Sequence, residues 1–410
     1  MSIITVTSIL VTFCALFSYV NYKFIKLPTT IGIMVMALVL STVIMLLPAL
    51  GFNILPSVIN FMDSIDFSET VLHGMLSFLL FAGALHVKWD VLSKQKYIIG
   101  AMAFFGTILS TILVGFAAYY IFPMLGFDIL LIYALLFGAL ISPTDPIAVM
   151  AILKKVGVSK TLETKVVGES LFNDGIAVVI FIALLGIAQH GEVSISNISM
   201  LFLKEAVGGA ILGAILGYTV FLMLRSVDNY QVEILLTLAL VMGGYELALL
   251  LHASGPIAMV VAGLLLGNKG RAHAMSEKTK SNLDNFWELI DEFLNAILFL
   301  ILGFSLLIIE FNQSALYAGL IMIPLLLIIR YFAVLIPVTI LKRYREFSPG
   351  AAKILTWGGL RGGISVALVL SLPEGEIRDF LLLVTYCIVM FSIIVQGLTI
   401  GKLVNKYKVD

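Results

Sequence analysis

The stretch GALISPTDPIAVMAIL, residues 138–153, decides how this chain folds. It reads as an apolar membrane-crossing helix, yet Pro143 and Pro146 stand three residues apart within it. Each proline removes a backbone N–H donor and clashes with the preceding turn, so the pair predicts a break in the middle of the helix. Unwound backbone at that depth is tolerated only where it is buried in protein or lines a cavity.

A second break is predicted in TWGGLRGGISVALVL, residues 356–370, where four glycines surround Arg361. Either break taken alone has a plain alternative, an ordinary proline or glycine kink in a membrane bundle. Interrupted segments at matching positions in two halves of a chain are the best sequence pointer to a transporter binding site. The pair therefore favours a transport site where the two breaks meet.

The composition places nearly all of the chain in a membrane. Of its 410 residues, 60% are hydrophobic and 12% are charged, with a mean hydropathy of +1.09. Soluble domains have about 45–50% apolar and about 25% charged residues. Cys14 and Cys387 both lie in apolar runs, which gives no disulfide framework or cysteine metal site. We expect one integral membrane domain over residues 1–410, with the first apolar run kept as a span.

A helix needs about 20 apolar residues to cross a bilayer, and this rule predicts an all-α polytopic protein with thirteen spans. The eighth and ninth spans have one alternative, a single re-entrant hairpin. The predicted spans are 3–20, 29–49, 70–87, 97–122, 128–153, 164–189, 199–224, 232–251, 254–268, 286–309, 314–341, 351–372 and 379–401.

Loop charges give the orientation. Of the 25 lysines and arginines, 21 follow odd-numbered spans, whereas Lys204 and Arg378 alone lie in the loops on the other side. Basic residues in short loops mark the cytoplasmic face, so we expect the N-terminus outside and the C-terminus inside. The predicted breaks fall in the fifth and twelfth spans. This odd offset makes them cross in opposite directions, as in inverted repeats over about 3–190 and 232–403 with 199–224 as the linker helix. The glycine-rich stretch 206–218 in that linker favours close helix packing.

Five ionisable residues are predicted at mid-membrane, where each costs about 2.5–3.5 kcal/mol and usually marks a pathway or a pair. They are Asp145, Glu169, Asp174, Arg330 and Arg361. Five further acids lie nearer the predicted span ends, where an interfacial role is expected: Glu233, Glu246, Glu288, Asp291 and Glu292.

The segment ESLFND, residues 169–174, supplies oxygen ligands on a helix. Residues four apart stack along one side of a helix, which places Glu169 beside Asn173. It also places Ser170 beside Asp174. Oxygen donors are what a hard cation such as Na⁺ needs to replace its water, and carbonyls freed at the first break would complete the shell.

Arg330 lies far from either end of its span and cannot easily lose its proton, so it needs an acidic partner. If Arg330 pairs with one mid-membrane carboxylate, another carboxylate stays free to gain and lose a proton. Removal from water favours the protonated form of a carboxyl group. An acid that is protonated when the site is empty and ionised when a cation fills it would exchange the two. The alternative is that these acids and arginines only hold helices together.

Four pieces in this order resemble the cation/proton antiporter superfamily, on its NhaP-like electroneutral sodium/proton exchanger branch, and the resemblance covers nearly the whole chain. They are SPTDP at 142–146, GESLFNDGIAVVIF at 168–181, the arginine of LLLIIRYFAV at 325–334, and WGGLRGGISVAL at 357–368. The resemblance implies an NhaA/NhaP-like fold with crossing discontinuous helices. It also implies a homodimer in which a six-helix core moves like an elevator against a dimerisation domain.

The resemblance further implies residue roles. Na⁺ would be held by the main-chain carbonyl of Thr144 and by Ser170, Glu169 and Asp174, the last being the main proton carrier. Two further roles concern charge balance: Glu169 would bridge to Arg330, and Arg361 would neutralise the ends of the half-helices.

Asp145 would act on the ion directly or through water. The pairing of Asn173 with Asp174 goes with electroneutral exchange, because electrogenic relatives carry two aspartates there. Some archaeal relatives add a glutamate from the third span, but residues 76–90 carry no mid-span acid. K⁺ or Li⁺ in place of Na⁺ therefore stays an alternative.

Two rivals come from other classes: a cation channel, which needs no titrating acid, and an intramembrane enzyme, for which Asp145 and Asp174 would be the pair. We expect neither enzymatic activity nor a cofactor, with Na⁺ and H⁺ as transported substrates. The basic residues follow the membrane topology, so no nucleic-acid partner is expected. The expected location is the plasma membrane, the inner membrane of a bacterial cell, with lipids as partners and pH homeostasis as the role.

Overall fold

The computed structural model describes residues 3–52, 54–158, 160–190, 195–341 and 350–407. These residues are helical almost throughout, and an isolated antiparallel bridge between Asp145 and Leu360 is the one β contact among them. The helices are α1 Ile3–Val20, α2 Thr29–Leu46, α3 Leu55–Asp63, α4 Leu76–His86, α5 Trp89–Gly100, α6 Thr107–Met124, α7 Leu131–Ile141, α8 Ile147–Val156, α9 Lys160–His190, α10 Ile195–Ser226, α11 Tyr230–Leu250, α12 Gly255–Leu265, α13 Arg271–His273, α14 Glu277–Phe304, α15 Gln313–Leu341, α16 Ala351–Trp357, α17 Gly363–Leu370, α18 Glu376–Phe391 and α19 Gly397–Tyr407.

Every predicted span coincides with helical structure, which confirms an all-α polytopic membrane protein. Within the described residues, ten helical stretches are long and apolar enough to cross a membrane. The other three predicted spans are α7 with α8, α12 with the helical turns after it, and α16 with α17. From Gly255 to His273 the ninth segment is about 28 Å long. Its last turns contain Asn268, Lys269 and Arg271, so a separate ninth span stays a prediction, with the re-entrant hairpin as its alternative.

The structure differs from the predicted boundaries where polar residues extend a helix beyond the lipid. The fourth span begins at Trp89 instead of residue 97, and the tenth begins at Glu277 instead of residue 286. Ser276 caps the tenth, because its Oγ accepts a hydrogen bond from the backbone N–H of Thr279 at 3.3 Å. The short helix α3 was not predicted. Hydropathy marks where the lipid ends, whereas caps decide where a helix ends.

The helices form two bundles. Helices α5–α9 pack mainly with one another and with α15–α19. Helices α1, α2, α4 and α10–α14 pack mainly with one another. The bundles meet chiefly where α9 lies against α10 and α12. They also meet where α17 lies beside the helical segment Glu69–Met75, which precedes α4.

The glycine-rich stretch of α10 is a packing surface, as expected. A Cβ atom added at Gly213 would overlap the main-chain carbonyl oxygen of Ala258 on α12, and one added at Gly217 would lie 3.0 Å from the Cα of Ala262. The backbones of the two helices therefore touch, as small residues permit in membrane proteins.

We predict that Gly213→Ala lowers the melting temperature of the detergent-purified protein. Its Cβ has no free space, and overpacking of this kind costs about 1–3 kcal/mol. Gly243→Ala on α11 is the matched control, because an added Cβ there meets nothing within 4 Å. This control should be neutral or slightly stabilising. Equal melting temperatures for the two variants would contradict the close contact.

Candidate functional site

The first break separates α7 from α8 at residues 142–146, as predicted from its two prolines. The Oδ1 atom of Asp145 accepts a hydrogen bond from the backbone N–H of Ile147 at 2.8 Å. This carboxylate therefore caps α8 and faces the positive end of the α8 dipole.

The second break separates α16 from α17 at residues 358–362, and the two breaks cross. The backbone N–H of Asp145 donates to the carbonyl of Leu360 at 2.7 Å, within the antiparallel bridge. A Cβ atom added at Gly362 would lie 2.5 Å from the Oδ2 atom of Asp145. Gly362 thus lets the carboxylate of Asp145 approach the backbone of the other interrupted span.

Arg361 lies at the negative end of α7. Its Nη1 atom donates to the carbonyl of Pro143 at 2.9 Å and also to the carbonyl of Ser142. Its backbone N–H donates to the Oγ atom of Ser392 at 2.8 Å. The guanidinium is buried, and its charge is stabilised by the carbonyls that end the half-helix.

Glu169 and Arg330 form a buried ion pair between α9 and α15. Nη2 of Arg330 lies 2.5 Å from Oε1 of Glu169, and the two residues are 5% and 2% exposed, respectively. The contact is ionic and not an aligned hydrogen bond, since Oε1 meets no hydrogen-bond geometry. Gly359 makes room for it, because an added Cβ would lie 2.8 Å from Nε of Arg330.

Thr144 is fastened to α9 by two side chains. Its Oγ1 atom lies 3.0 Å from Oγ of Ser170, and Nδ2 of Asn173 donates to Oγ1 at 2.8 Å. The backbone N–H of Thr144 donates to Oδ1 of Asn173 at 3.3 Å. The amide of Asn173 therefore fixes the unwound chain through both of its polar atoms.

Asp174 is the acid that remains. It is 6% exposed, and its Oδ1 atom has no hydrogen-bond partner among the described residues. Burying an unpaired carboxylate is expensive unless it binds a proton or a cation. Asp174 is therefore a group that calls for one or the other.

A cavity of about 560 Å³ leads to Asp174 and lies between the two bundles. One bundle contributes the first break, part of α9 and the start of α17; the other contributes the start of α2, α4 and α14. Its polar lining residues are Thr29, Thr30, His86, Thr144, Asp145, Asp174, Glu288, Asp291, Glu292, Asn295 and Ser365.

The role expected for three acids of α14 needs correction. Glu288, Asp291 and Glu292 were expected to serve the membrane interface, but they line the cavity. Their spacing of three and four residues was a usable signal, because it puts them on one side of a helix. Asn295 continues that side one turn deeper and was missed altogether.

Glu233 also departs from the interfacial role expected for it. It is 1% exposed and accepts a hydrogen bond from the Oγ1 atom of Thr279 at 2.6 Å. It therefore joins α11 to α14 within the protein. Glu246, by contrast, is exposed, as expected for a residue near a span end.

Sequence comparison places this geometry in a known family. The model of the family described as sodium/hydrogen exchanger, transmembrane, matches residues 9–406. The chain belongs to the sodium/hydrogen exchanger family. It is 51% identical over 397 residues to the Na⁺/H⁺ antiporter NhaP of Pseudomonas aeruginosa, covering 95% of this chain and 94% of that protein. It is 37% identical over 395 residues to the Na⁺/H⁺ antiporter NhaH of Halobacillus aidingensis, covering 94% and 93%.

The fold is that of a solved sodium proton antiporter. The structure of the sodium proton antiporter MjNhaP1 from Methanocaldococcus jannaschii superposes with a TM-score of 0.77, at 19% identity, over 99% of both chains. The predicted NhaP-like family and fold are thus confirmed. The chain is a multi-pass membrane transporter and not an enzyme, which removes the enzyme rival.

We predict that Glu169→Gln and Arg330→Met each lower the melting temperature strongly. Removing one partner leaves the other side chain buried without its counter-charge, which lowers the free energy of unfolding by about 3–5 kcal/mol. The double variant should lose less than the sum of the two, as measured by thermal unfolding in detergent.

The control is Glu277→Gln, which breaks the exposed pair between Glu277 and Lys280 and should cost less than about 1 kcal/mol. Strictly additive effects of Glu169→Gln and Arg330→Met would mean that the two side chains are not coupled.

Proposed function

We propose that the chain is a secondary active antiporter that exchanges one Na⁺ for one H⁺, with the two ions competing for Asp174. The observation that carries this proposal is a buried carboxylate with a free oxygen, at a cavity beside the crossing of two interrupted helices. The names of the relatives NhaP and NhaH support Na⁺ as the cation.

Charge balance at the crossing supports electroneutral exchange. Glu169 is balanced by Arg330, Asp145 faces the positive end of α8, and Arg361 faces the negative end of α7. Asp174 has no cationic partner among the described residues. A site with one uncompensated carboxylate takes one proton or one monovalent cation, so a one-for-one cycle moves no net charge.

The bound Na⁺ would take its oxygen ligands from Asp174, Ser170 and the main-chain carbonyl of Thr144, with Glu169 at the edge of the shell. The hydroxyl groups of Ser170 and Thr144 lie 3.0 Å apart, which holds the two residues that would supply these ligands side by side. Asn173 would position Thr144 and keep the charge of the site at one, since it is neutral. Asp145 would act directly or through water.

The position of the cavity supports entry of the ion from the cytoplasmic side. Thr29 and His86 lie at helix ends that adjoin the basic loops, which the positive-inside rule assigns to the cytoplasm. The structure would then face inward in the plasma membrane, with the N-terminus outside. The acids of α14 would raise the local concentration of cations at this entrance.

The two bundles support an elevator cycle. Asp174 and both breaks belong to one bundle, while α14 and the other lining helices belong to the second. Sliding of the first bundle would carry the site across the membrane without dismantling the crossing. The second bundle would form the homodimer contact, and the inverted repeats predicted over 3–190 and 232–403 would make the two end states alike.

The test is a vesicle assay of the purified protein. Vesicles with an acid interior and a trapped pH dye receive Na⁺, K⁺ or Li⁺ outside. We predict that Na⁺ raises the internal pH, at the same rate when the membrane potential is clamped to zero. Asp174→Asn should abolish the response, because an amide carries neither the proton nor the charge. Asp128→Asn, the same change at an exposed site, should leave the response intact.

Each other result has a definite meaning. A response to K⁺ or Li⁺ but not Na⁺ would keep the mechanism and replace the substrate. A rate that follows the membrane potential would exclude one-for-one exchange. A cation flux that does not depend on the pH gradient would contradict the antiporter proposal and favour a channel.

A further inference from the structure

One side of α14 presents four polar residues to the cavity: Glu288, Asp291, Glu292 and Asn295. Their spacing of three and four residues puts them on one side of the helix, between the twelfth and the nineteenth of the 28 residues of α14. Glu288 and Glu292 are exposed, whereas Asn295 is 1% exposed. The stripe therefore ends in a neutral amide at depth, where the acids have stopped.

The amide of Asn295 has no protein partner in the part of the chain that the structure describes. Neither its Oδ1 atom nor its Nδ2 atom has a hydrogen bond. Native proteins pair almost all buried polar groups, since an unpaired amide in the interior loses its water without compensation. An unpaired buried amide in a residue that lines a cavity is therefore a candidate ligand for an ion that enters the cavity.

Ser365 repeats this feature on α17. It is 1% exposed, it lines the same cavity, and its Oγ atom has no partner among the described residues. Gly363, two residues earlier, packs so tightly on Leu298 that an added Cβ would overlap a methyl group of that leucine. Leu298 lies about one turn beyond Asn295, so the start of α17 is held against the same part of α14.

The two side chains are distinct from the group around Asp174. Ser170 and Asn173 are both bonded to Thr144, whereas Asn295 and Ser365 have no such partner. They also come from opposite bundles: α14 belongs to one and α17 to the other.

The chemistry points to a cation. An amide oxygen and a hydroxyl oxygen are neutral donors that suit a hard monovalent cation retaining part of its water shell. Carboxylates line the same cavity at Glu288, Glu292 and Asp174, which disfavours an anion.

We propose that Asn295 and Ser365 form a second cation-binding station, through which a partly hydrated monovalent cation passes between the cavity mouth and Asp174. The proposal rests on the proposed function, because it assigns this cavity as the path of the transported ion. Neutral ligands hold the cation weakly, so the station would set how much Na⁺ is needed for exchange without itself carrying protons.

The experiment compares Asn295→Leu, Ser365→Ala and Thr385→Val in the vesicle assay and in thermal unfolding. Thr385 is the matched control, because its Oγ1 atom is also buried and unpartnered in the described chain but lies outside the cavity lining. Thermal unfolding is recorded without Na⁺ and over a series of Na⁺ concentrations.

We expect Asn295→Leu to raise the half-saturating Na⁺ concentration about tenfold, which corresponds to the loss of one ligand to a charged group. This rise should exceed any loss of turnover at saturating Na⁺. Ser365→Ala should act in the same direction with a smaller shift. Without Na⁺, the melting temperature of Asn295→Leu should equal or exceed that of the wild type, since leucine removes an unpaired amide. Thr385→Val should leave the Na⁺ dependence unchanged.

Two results would overturn the station. An unchanged half-saturating Na⁺ concentration in Asn295→Leu would remove Asn295 from the ion path. A lower melting temperature of this variant without Na⁺ would show that the amide is a structural contact. If the wild type shows no exchange at all, the proposed function fails by itself. The station is then judged by whether Na⁺ raises the melting temperature of the wild type more than that of Asn295→Leu.

Discussion

A charge inside a membrane must be compensated where it stands, and the centre of this protein is organised by that constraint. Interrupting two helices exposes four helix ends, and the crossing places Asp145 at a positive end and Arg361 at a negative one. The ion pair of Glu169 and Arg330 balances the remaining fixed charges beside the crossing. The breaks, the glycines within them and the neighbouring helices are all required for these contacts.

Once those charges are balanced, the properties of the site follow from what is left. Asp174 has no cationic partner among the described residues, and its buried Oδ1 atom has no hydrogen-bond partner there, an arrangement that favours a bound proton or cation. Asn173, next to it in sequence, is neutral and is occupied in holding Thr144. In the proposed exchange, the residue that fixes Thr144 and the residue that binds the ions are thus adjacent on a single helix, α9.

The spans, the two breaks and the buried charges were predictable from the sequence, because the lipid interior requires apolar side chains and satisfied backbone groups. The lengths of the apolar runs predicted the spans, and the paired prolines and glycines predicted both breaks. Charged residues within spans pointed to the candidate site: Asp145, Glu169, Asp174, Arg330 and Arg361. The side of a membrane helix that faces a cavity was harder to predict from the sequence. In a helix such as α14 only some turns are polar and the others are apolar, so the pattern does not show which side faces the cavity. The sequence therefore left Asn295 unnoticed and assigned Glu288 to the interface. The hydrogen bonds between Asn173 and Thr144 and the burial of Glu233 depend on contacts between helices that are distant in the sequence. No local sequence pattern encodes such contacts.

The central claim is that one proton and one cation compete for one carboxylate, and the pH dependence of Na⁺ affinity tests it most directly. The half-saturating Na⁺ concentration of the purified antiporter would be measured in vesicles at several pH values on the cavity side. Competition predicts that it rises about tenfold for each unit of falling pH in the acid range, while turnover at saturating Na⁺ stays constant. A half-saturating concentration that does not change with pH, with turnover alone responding, would contradict the shared site.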